Sequence, residues 1–511
     1  MKALILGGSN SLKKNSWAAG FAESGIELVN KACGSSSGLQ YAGLMTHDFS
    51  VYDYVIFESL CNDEGDFLNS GMYDDLRLLA NIYYEMFATI SAQTQLVLLN
   101  IALLRTVSNT GYEEQKVTPI AKLRTLLANA TGAQVVDVES ILKGYALQLG
   151  LDHHHYLYED GPHPAAPFLW QVGLGLGRQL ISLTARDRHQ LFKKPAVGFA
   201  DNYQIVSPAD LTACGVERLT NRMINEDFFV LREPALDLAA YASFRLIGFY
   251  LVCPNNVRYL TFDTEQGPLS MLTGWPGEVA RQINKVFVGI PKALRVKALA
   301  LHEQVAQVDY VHSLIIWRRF AKPVPPAQDD ERETGALRMQ HLVFRKHELE
   351  HDVSSLQDFE FDEAVLGNVL TRQLMDLRSF RAVPYAARTI TVFDGASLLF
   401  DCQANTCVLL PAQLIACDPR TLVPVLSQQH GPDTLSLHVE LDGVRHGLAA
   451  GALKLEKTSA GESQTFVCER HGGYFAVKSA THYLRALLMH PYRGVQFDTQ
   501  VLCDESLFRC E

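Results

Sequence analysis

Over the first 185 residues, short apolar runs alternate with longer stretches whose apolar residues recur every three or four positions, which leaves few folds open. "KALILGG" (2–8), "IELVNKA" (26–32), "YDYVIFESL" (52–60), "TQLVLLNIALL" (94–104) and "AQVVDVES" (133–140) read as buried strands. Between them, "YDDLRLLANIYYEMFATISA" (73–92) and "TPIAKLRTLLANATG" (118–132) carry helical spacing. Strands alternating with helices predict an α/β domain with a mostly parallel sheet and helices on both faces. In such sheets ligands bind at the carboxyl ends of the strands, so the turns after each apolar run are where chemistry is expected.

From about residue 195 the pattern changes. "KKPAVGFADNYQ" reads as a linker, and strands then dominate: "FRLIGFYLVC" (244–253), "VRYLTFDT" (257–264) and "HSLIIWRRF" (312–320). The Pro- and charge-rich "AKPVPPAQDDERETG" (321–335) is the clearest boundary. A helical stretch (361–380) and further strands follow, among them "LSLHVEL" and "GGYFAVKS". The expected organisation is an α/β domain over 1–190, a β-rich module over 200–325, and a linking helical segment plus a second β-rich module over 336–511. Each module is expected to be a sandwich, a barrel or trefoil-like, the last from one fragment, "HGGYFAVKSATHYLRAL".

Composition narrows the partners. A chain of 511 residues is too long for one core. Its net charge of −11 argues against a nucleic-acid surface, which needs clustered Lys and Arg. The ten cysteines contain no CxxC pair and no zinc pattern with histidine, so no metal is expected; buried thiols are the main expectation, with a bridge among the six cysteines after residue 400 left open, and no cofactor is expected. Met1-Lys2 is followed by only "ALIL" before glycine, well short of a secretory signal's apolar core, so a cytoplasmic location is expected. The best membrane candidate, "FLWQVGLGLGRQLISL" (168–183), is too short and is interrupted by Gln171 and Arg178. Within it, "GLGLG" reads as a glycine-faced helix packed on the sheet.

Three blocks carry candidate chemistry: "GGSNS" with Ser9 after the first strand, "SLCNDE" (59–64) with Asn62 and Asp63, and "YEDGPHP" (158–164) with Asp160 and His163. Taken singly, each has a plain reading as a helix cap or turn. "GGSNSLKK" lacks the glycine and lysine spacing of a phosphate loop. Together the blocks form a set. A serine hydroxyl needs a base, histidine titrates near neutral pH, a carboxylate fixes the histidine's tautomer, and amide donors can hold an oxyanion. His153, His154 and His155 are adjacent and cannot share one face, so they read as a loop without a metal. Tyr250, Tyr259, Trp275, Tyr474 and Tyr483 read mainly as core residues.

The order and spacing of these blocks over about residues 1–185 resemble the SGNH hydrolase superfamily, the GDSL esterases and lipases. The resemblance implies a flavodoxin-like three-layer α/β/α domain. It also implies a catalytic Ser9, His163 and Asp160, and an oxyanion hole formed by the N–H groups of Ser9 and Gly34 with the Asn62 side chain. "DGPHP" matches the family's Asp-x-x-His block in full, whereas Gly8 stands where relatives carry aspartate and Leu60 where they carry glycine. Ser35 is an alternative to Gly34, and Ser11 is a rival nucleophile that should already lie in the helix. The implied activity is hydrolysis of an O-acyl, expectedly acetyl, ester on a glycan or polysaccharide. Two further readings stand beside it: O-acetyl transfer to a bacterial polysaccharide with acetyl-CoA as donor, and glycan binding on a decayed hydrolase fold.

Overall fold

A computed structural model of the chain describes residues 1–34, 36–70, 76–103, 118–148, 154–160, 162–192, most of 195–312, 337–346, Leu374 and the strand-forming stretches between 390 and 510. Outside the described residues lie Ser35, His153, Trp275, the stretch 313–335 and, apart from Leu374, the helical stretch 361–380.

In chain order the N-terminal region runs β1 (Lys2–Gly7), α1 (Ser9–Leu12), α2 (Trp17–Glu23), β2 (Glu27–Asn30), β3 (Tyr54–Glu58), α3 (Leu60–Ser70), α4 (Leu76–Gln93), β4 (Gln95–Asn100), α5 (Pro119–Thr131), β5 (Gln134–Asp137) and α6 (Val138–Gln148). The five strands form one sheet in the order β2-β1-β3-β4-β5, and every pairing in it is parallel. Register aligns Leu4 with both Val29 and Val55. β1, β3 and β4 are buried almost throughout because both faces of a parallel sheet are covered, and that is why they read as continuous apolar runs.

The helices begin and end where local chemistry directs. α5 opens on Thr118, whose Oγ1 accepts from the Ala121 N–H at 3.1 Å, has Pro119 in its first turn, and closes on Gly132 at φ 75°. Thr118 Oγ1 also donates to Glu64 at 2.5 Å, joining the start of α5 to α3. Helix α7 (Ala166–Ser182), which follows the short strands β6 (Tyr158–Asp160) and β7 (His163–Pro164), contains the "GLGLG" run. Its glycines meet helix α2 rather than the sheet. A Cβ at Gly173 would stand 1.9 Å from the Trp17 carbonyl oxygen, and one at Gly177 would stand 2.2 Å from Ser24 Oγ. Only a bare backbone face allows two helices to approach so closely.

By its internal contacts the chain divides into two compact units. The first gathers Met1–Leu103, Lys116–Val138 and Gly173–Arg372; the second gathers Leu104–Gln115, Glu139–Val172 and Gln373–Glu511. Two further sheets of the first unit come from its later part. One contains β8 (Tyr203–Val206), β9 (Gly215–Thr220), β10 (Asn225–Leu231), β12 (Phe244–Val252), β15 (Lys285–Leu294) and β18 (Leu337–Lys346). It has the path β15-β12-β18-β10-β9, with β8 paired to β18. The other joins β11 (Leu236–Asp237), β13 (Arg258–Thr264), β14 (Gly267–Thr273), β16 (Val296–His302) and β17 (Tyr310–His312) in the order β11-β16-β13-β14-β17. In the second unit, twelve strands between Ile390 and Cys510 form a single sheet.

The boundary expected near residue 195 falls inside the first unit. Leu4, Phe57 and Phe87 of the α/β layer belong to one hydrophobic cluster with Phe249, Val288 and Leu342 of the β sheets. The segment read as a linker is tied down: Phe199 N–H donates to Thr89 Oγ1 at 2.8 Å, and the Tyr203 hydroxyl donates to Glu85 Oε2 at 2.6 Å. Glu85 on α4 is fully buried and takes two hydrogen bonds from Arg345 of β18, Nε at 2.9 Å and Nη2 at 2.8 Å. Asn202 Nδ2 adds a fourth hydrogen bond at 3.2 Å. A two-bonded guanidinium–carboxylate pair of this kind tolerates burial only because each charge has its partner.

Among the described residues, no helix is long and apolar enough to cross a membrane. Cys33, Cys61 and Cys214 carry free thiols.

Arg345→Ala is expected to lower the free energy of unfolding by about 3–5 kcal/mol, because it strands the Glu85 charge in the interior. Glu85→Leu combined with Arg345→Met is expected to cost less than that single change. Urea denaturation of the full chain measures both, and a double variant weaker than Arg345→Ala would contradict the buried-pair account.

Candidate active site

Ser9 is the first residue of α1, directly beyond the carboxyl end of β1, and is half-buried. Its N–H belongs to the first helical turn, where backbone donors point out of the helix. Two other segments approach it. A Cβ at Gly34 would lie 3.8 Å from Ser9 Cβ, an ordinary contact, so this glycine borders the serine directly. A Cβ at Gly8 would lie only 2.6 Å from Asn62 Nδ2, so the Asn62 amide rests against the backbone immediately before Ser9. Asn62 stands in the first turn of α3, and its Nδ2 donates to the Ser36 carbonyl at 2.9 Å. Ser9, Gly34 and Asn62 therefore cluster at the carboxyl edge of the parallel sheet, from the segments after β1, β2 and β3.

A side chain at position 8 would require the Asn62 amide to shift. A carboxylate still reaches the turn, but from β3: fully buried Glu58 accepts from the Gly8 N–H at 3.0 Å and from Ser11 Oγ at 2.7 Å. Ser11 is 2% exposed, and its hydroxyl is committed to that bond beneath the turn. The Tyr41 hydroxyl donates to the Gly7 carbonyl at 2.7 Å and fixes the turn from the other side.

Asp63, next to Asn62, has no exposed surface and gathers four donors. These are the Gly38 N–H at 2.8 Å, the Tyr83 hydroxyl at 2.7 Å, Ser59 Oγ at 3.3 Å and Arg124 Nη1 at 2.9 Å. Burial pushes the Asp63 carboxyl upward from the usual carboxylate range, and the Arg124 charge with the surrounding donors pulls it back. Arg124 is also fully buried, its guanidinium 5.0 Å from the Phe57 ring centroid and 5.9 Å from that of Tyr83. The neighbouring Glu64 accepts from the Leu103 N–H at 2.7 Å, so α3 is pinned on both sides of Asn62's turn. Leu60, at the start of α3, is buried.

Asp160 and His163 lie in the second unit, on β6 and β7, and the antiparallel register sets the two residues opposite each other. His163 is half-buried. The Ala165 N–H closes this hairpin onto the Leu157 carbonyl at 2.7 Å. His154 Nε2 lies 3.7 Å from Glu139 Oε1. Among the described residues, no group of three His, Cys, Asp or Glu side chains could hold a metal ion.

The sequence reading did not single out Ser36, Glu58 or Arg124, each of which braces the cluster through a partner at least 26 positions away. Their only signal was position, at or near a strand end or inside an apolar helix. Gly8→Ala is expected to lower stability by about 1–3 kcal/mol, because its methyl must displace the Asn62 amide. Gly34→Ala, which meets only ordinary contacts, should stay within about 0.5 kcal/mol of the parent. Chemical denaturation of both variants reads the difference, and equal stabilities would contradict the interlock of residues 8 and 62.

No family model matches the sequence, and no curated protein matches it. Among solved structures the chain is similar to the acetyl xylan esterase AlAXEase, at 14% identity over 36% of this chain and 100% of that one, with a TM-score of 0.30. It is also similar to a G-D-S-L family lipolytic protein from Desulfitobacterium hafniense, at 17% identity over 34% of this chain and 95% of that one, with a TM-score of 0.24. A GDSL-like lipase from Parabacteroides merdae has 17% identity over 34% of this chain and 95% of that one, with a TM-score of 0.25. These neighbours of GDSL type cover only the N-terminal third of the chain, the region with the parallel sheet.

Proposed function

We propose that the chain is a serine esterase of the SGNH type, acting on an O-acyl ester, with an acetylated glycan as the substrate class to test first. The observation that carries this reading is the cluster at the carboxyl edge of the sheet: Ser9 at the start of α1, bordered by Gly34, with the Asn62 amide packed against Gly8. A nucleophile set among backbone and side-chain amide donors is what an acyl-transfer centre requires.

In this reading His163 takes the proton of the Ser9 hydroxyl as its oxygen attacks the ester carbonyl carbon. The carbonyl π electrons move to oxygen, and the N–H groups of Ser9 and Gly34 with the Asn62 amide hold the resulting oxyanion. The intermediate collapses, the bond to the alcohol oxygen breaks, and the protonated His163 returns its proton to that leaving oxygen. Water, deprotonated by His163, then attacks the acyl-enzyme; collapse frees the carboxylic acid and restores Ser9. Asp160 orients His163 and stabilises its cationic form. Each step is completed by groups of the chain plus water, so the hydrolytic reading needs no cofactor.

A fluorophosphonate probe tests the assignment. Labelling is expected at Ser9 in the wild type, retained in Ser11→Ala and abolished in Ser9→Ala. His163→Ala is expected to lower kcat for an acetyl ester by at least about 10³-fold, and Asn62→Ala by about 10²–10³-fold. Folded wild-type protein that neither labels nor hydrolyses, or labelling that survives Ser9→Ala, overturns the reading. Acyl transfer from acetyl-CoA to a glycan without release of acid would replace hydrolysis by transfer on the same residues.

A further inference from the structure

β15 is a terminal strand in the pairing path of its sheet, and an edge strand leaves a row of backbone donors and acceptors that must be satisfied elsewhere. Here the satisfying groups come from the segment after β2. The Lys285 carbonyl accepts from Cys33 Sγ at 3.2 Å, and the Phe287 N–H donates to Ser36 Oγ at 2.9 Å. Residues two apart in a strand present their backbone groups to the same side, so both bonds leave one edge of β15. Burial raises the Cys33 thiol above its ordinary range, against the opposing Lys285 charge, and so keeps its proton available for donation. Farther along the same segment, the Tyr250 hydroxyl of β12 donates to the Gln40 carbonyl at 3.1 Å.

Ser36 passes this anchorage on. Its hydroxyl accepts from β15 and donates to the Gly34 carbonyl at 3.1 Å, and its own carbonyl receives the Asn62 amide at 2.9 Å. Ser36 is buried, 2% exposed, so water does not compete for these bonds. One residue thus links a β-sheet edge to both of the donors that flank Ser9.

We infer that Ser36 is a positioning residue that ties Gly34 and Asn62 to the edge of β15, making the β-rich layer a working part of the oxyanion hole. The inference rests on the esterase reading of Ser9 and adds to it a role for the β sheet.

Ser36→Ala and Ser36→Thr in the full chain test it. With active sites titrated by the fluorophosphonate, Ser36→Ala is expected to lower kcat per titrated site about 10- to 100-fold with KM within about twofold, and Ser36→Thr to recover most of the loss. A merely structural role would reduce the number of titratable sites and leave kcat per site unchanged; that result overturns the proposal. Independently of turnover, amide exchange at Phe287 is expected to accelerate at least about tenfold in Ser36→Ala while β1 and β3 keep their protection. Unchanged exchange at Phe287 also overturns it. Should Ser36→Ala not fold, Cys33→Ala, which removes the companion bond to β15, is expected to show the same kcat loss in smaller degree, and a wild-type kcat per site there counts against the tie. If folded wild-type protein shows no turnover, the esterase reading falls, and exchange alone decides whether Ser36 holds the segment to β15.

Discussion

A single carboxylate without solvent around it organises the carboxyl edge of the parallel sheet. Asp63 is the meeting point of four segments: its own helix, the 3-10 turn that starts at Gly38, α4 through Tyr83, and α5 through Arg124. Removing a charge from water costs several kcal/mol, so the carboxylate must keep every donor it has. That requirement works as a geometric constraint. The donors arrive from residues 38 to 124, and satisfying them fixes how α3 leaves β3 and hence where Asn62 stands. Asn62 is only half-buried, while the residue after it has no exposed surface.

The same logic recurs one layer away. Glu85 and Arg345 place a two-bonded ion pair where the helical layer meets the six-stranded sheet, with Tyr203 and Asn202 satisfying the remaining acceptor capacity. Around them the apolar cluster is continuous from Leu4 to Val343. The α/β region and the first β-rich region are therefore one cooperative body in physical terms, although their sequence patterns are those of two fold classes. A boundary in hydrophobic periodicity marks a change of secondary structure, and it marks a domain boundary only where burial stops as well.

That distinction accounts for what could be read from the sequence. The five parallel strands were legible because burial on both faces leaves an uninterrupted apolar run, and α5 was legible because Thr118, Pro119 and Gly132 punctuate it. The adjacency of Ser9, Gly34 and Asn62 followed from their places after successive strands. Nothing local identified Glu58 or Arg124 as interior charges, since a carboxylate at a strand end or an arginine in a helix is ordinarily solvated. The "GLGLG" run announced close packing, but its partner proved to be α2, because the choice of neighbour depends on where another backbone lies. Ser36 was invisible for the same reason: its partner at Phe287 is 251 positions away.

The span of the Glu85–Arg345 pair also bears on how the chain is made. The two residues are 260 positions apart. At synthesis rates of about 5–20 residues per second, the charge on α4 waits on the order of 13–52 s for its partner to be made. Asn202 and Tyr203, made well before β18, supply donors to Glu85, but the guanidinium that balances its charge in the finished interior comes only with Arg345.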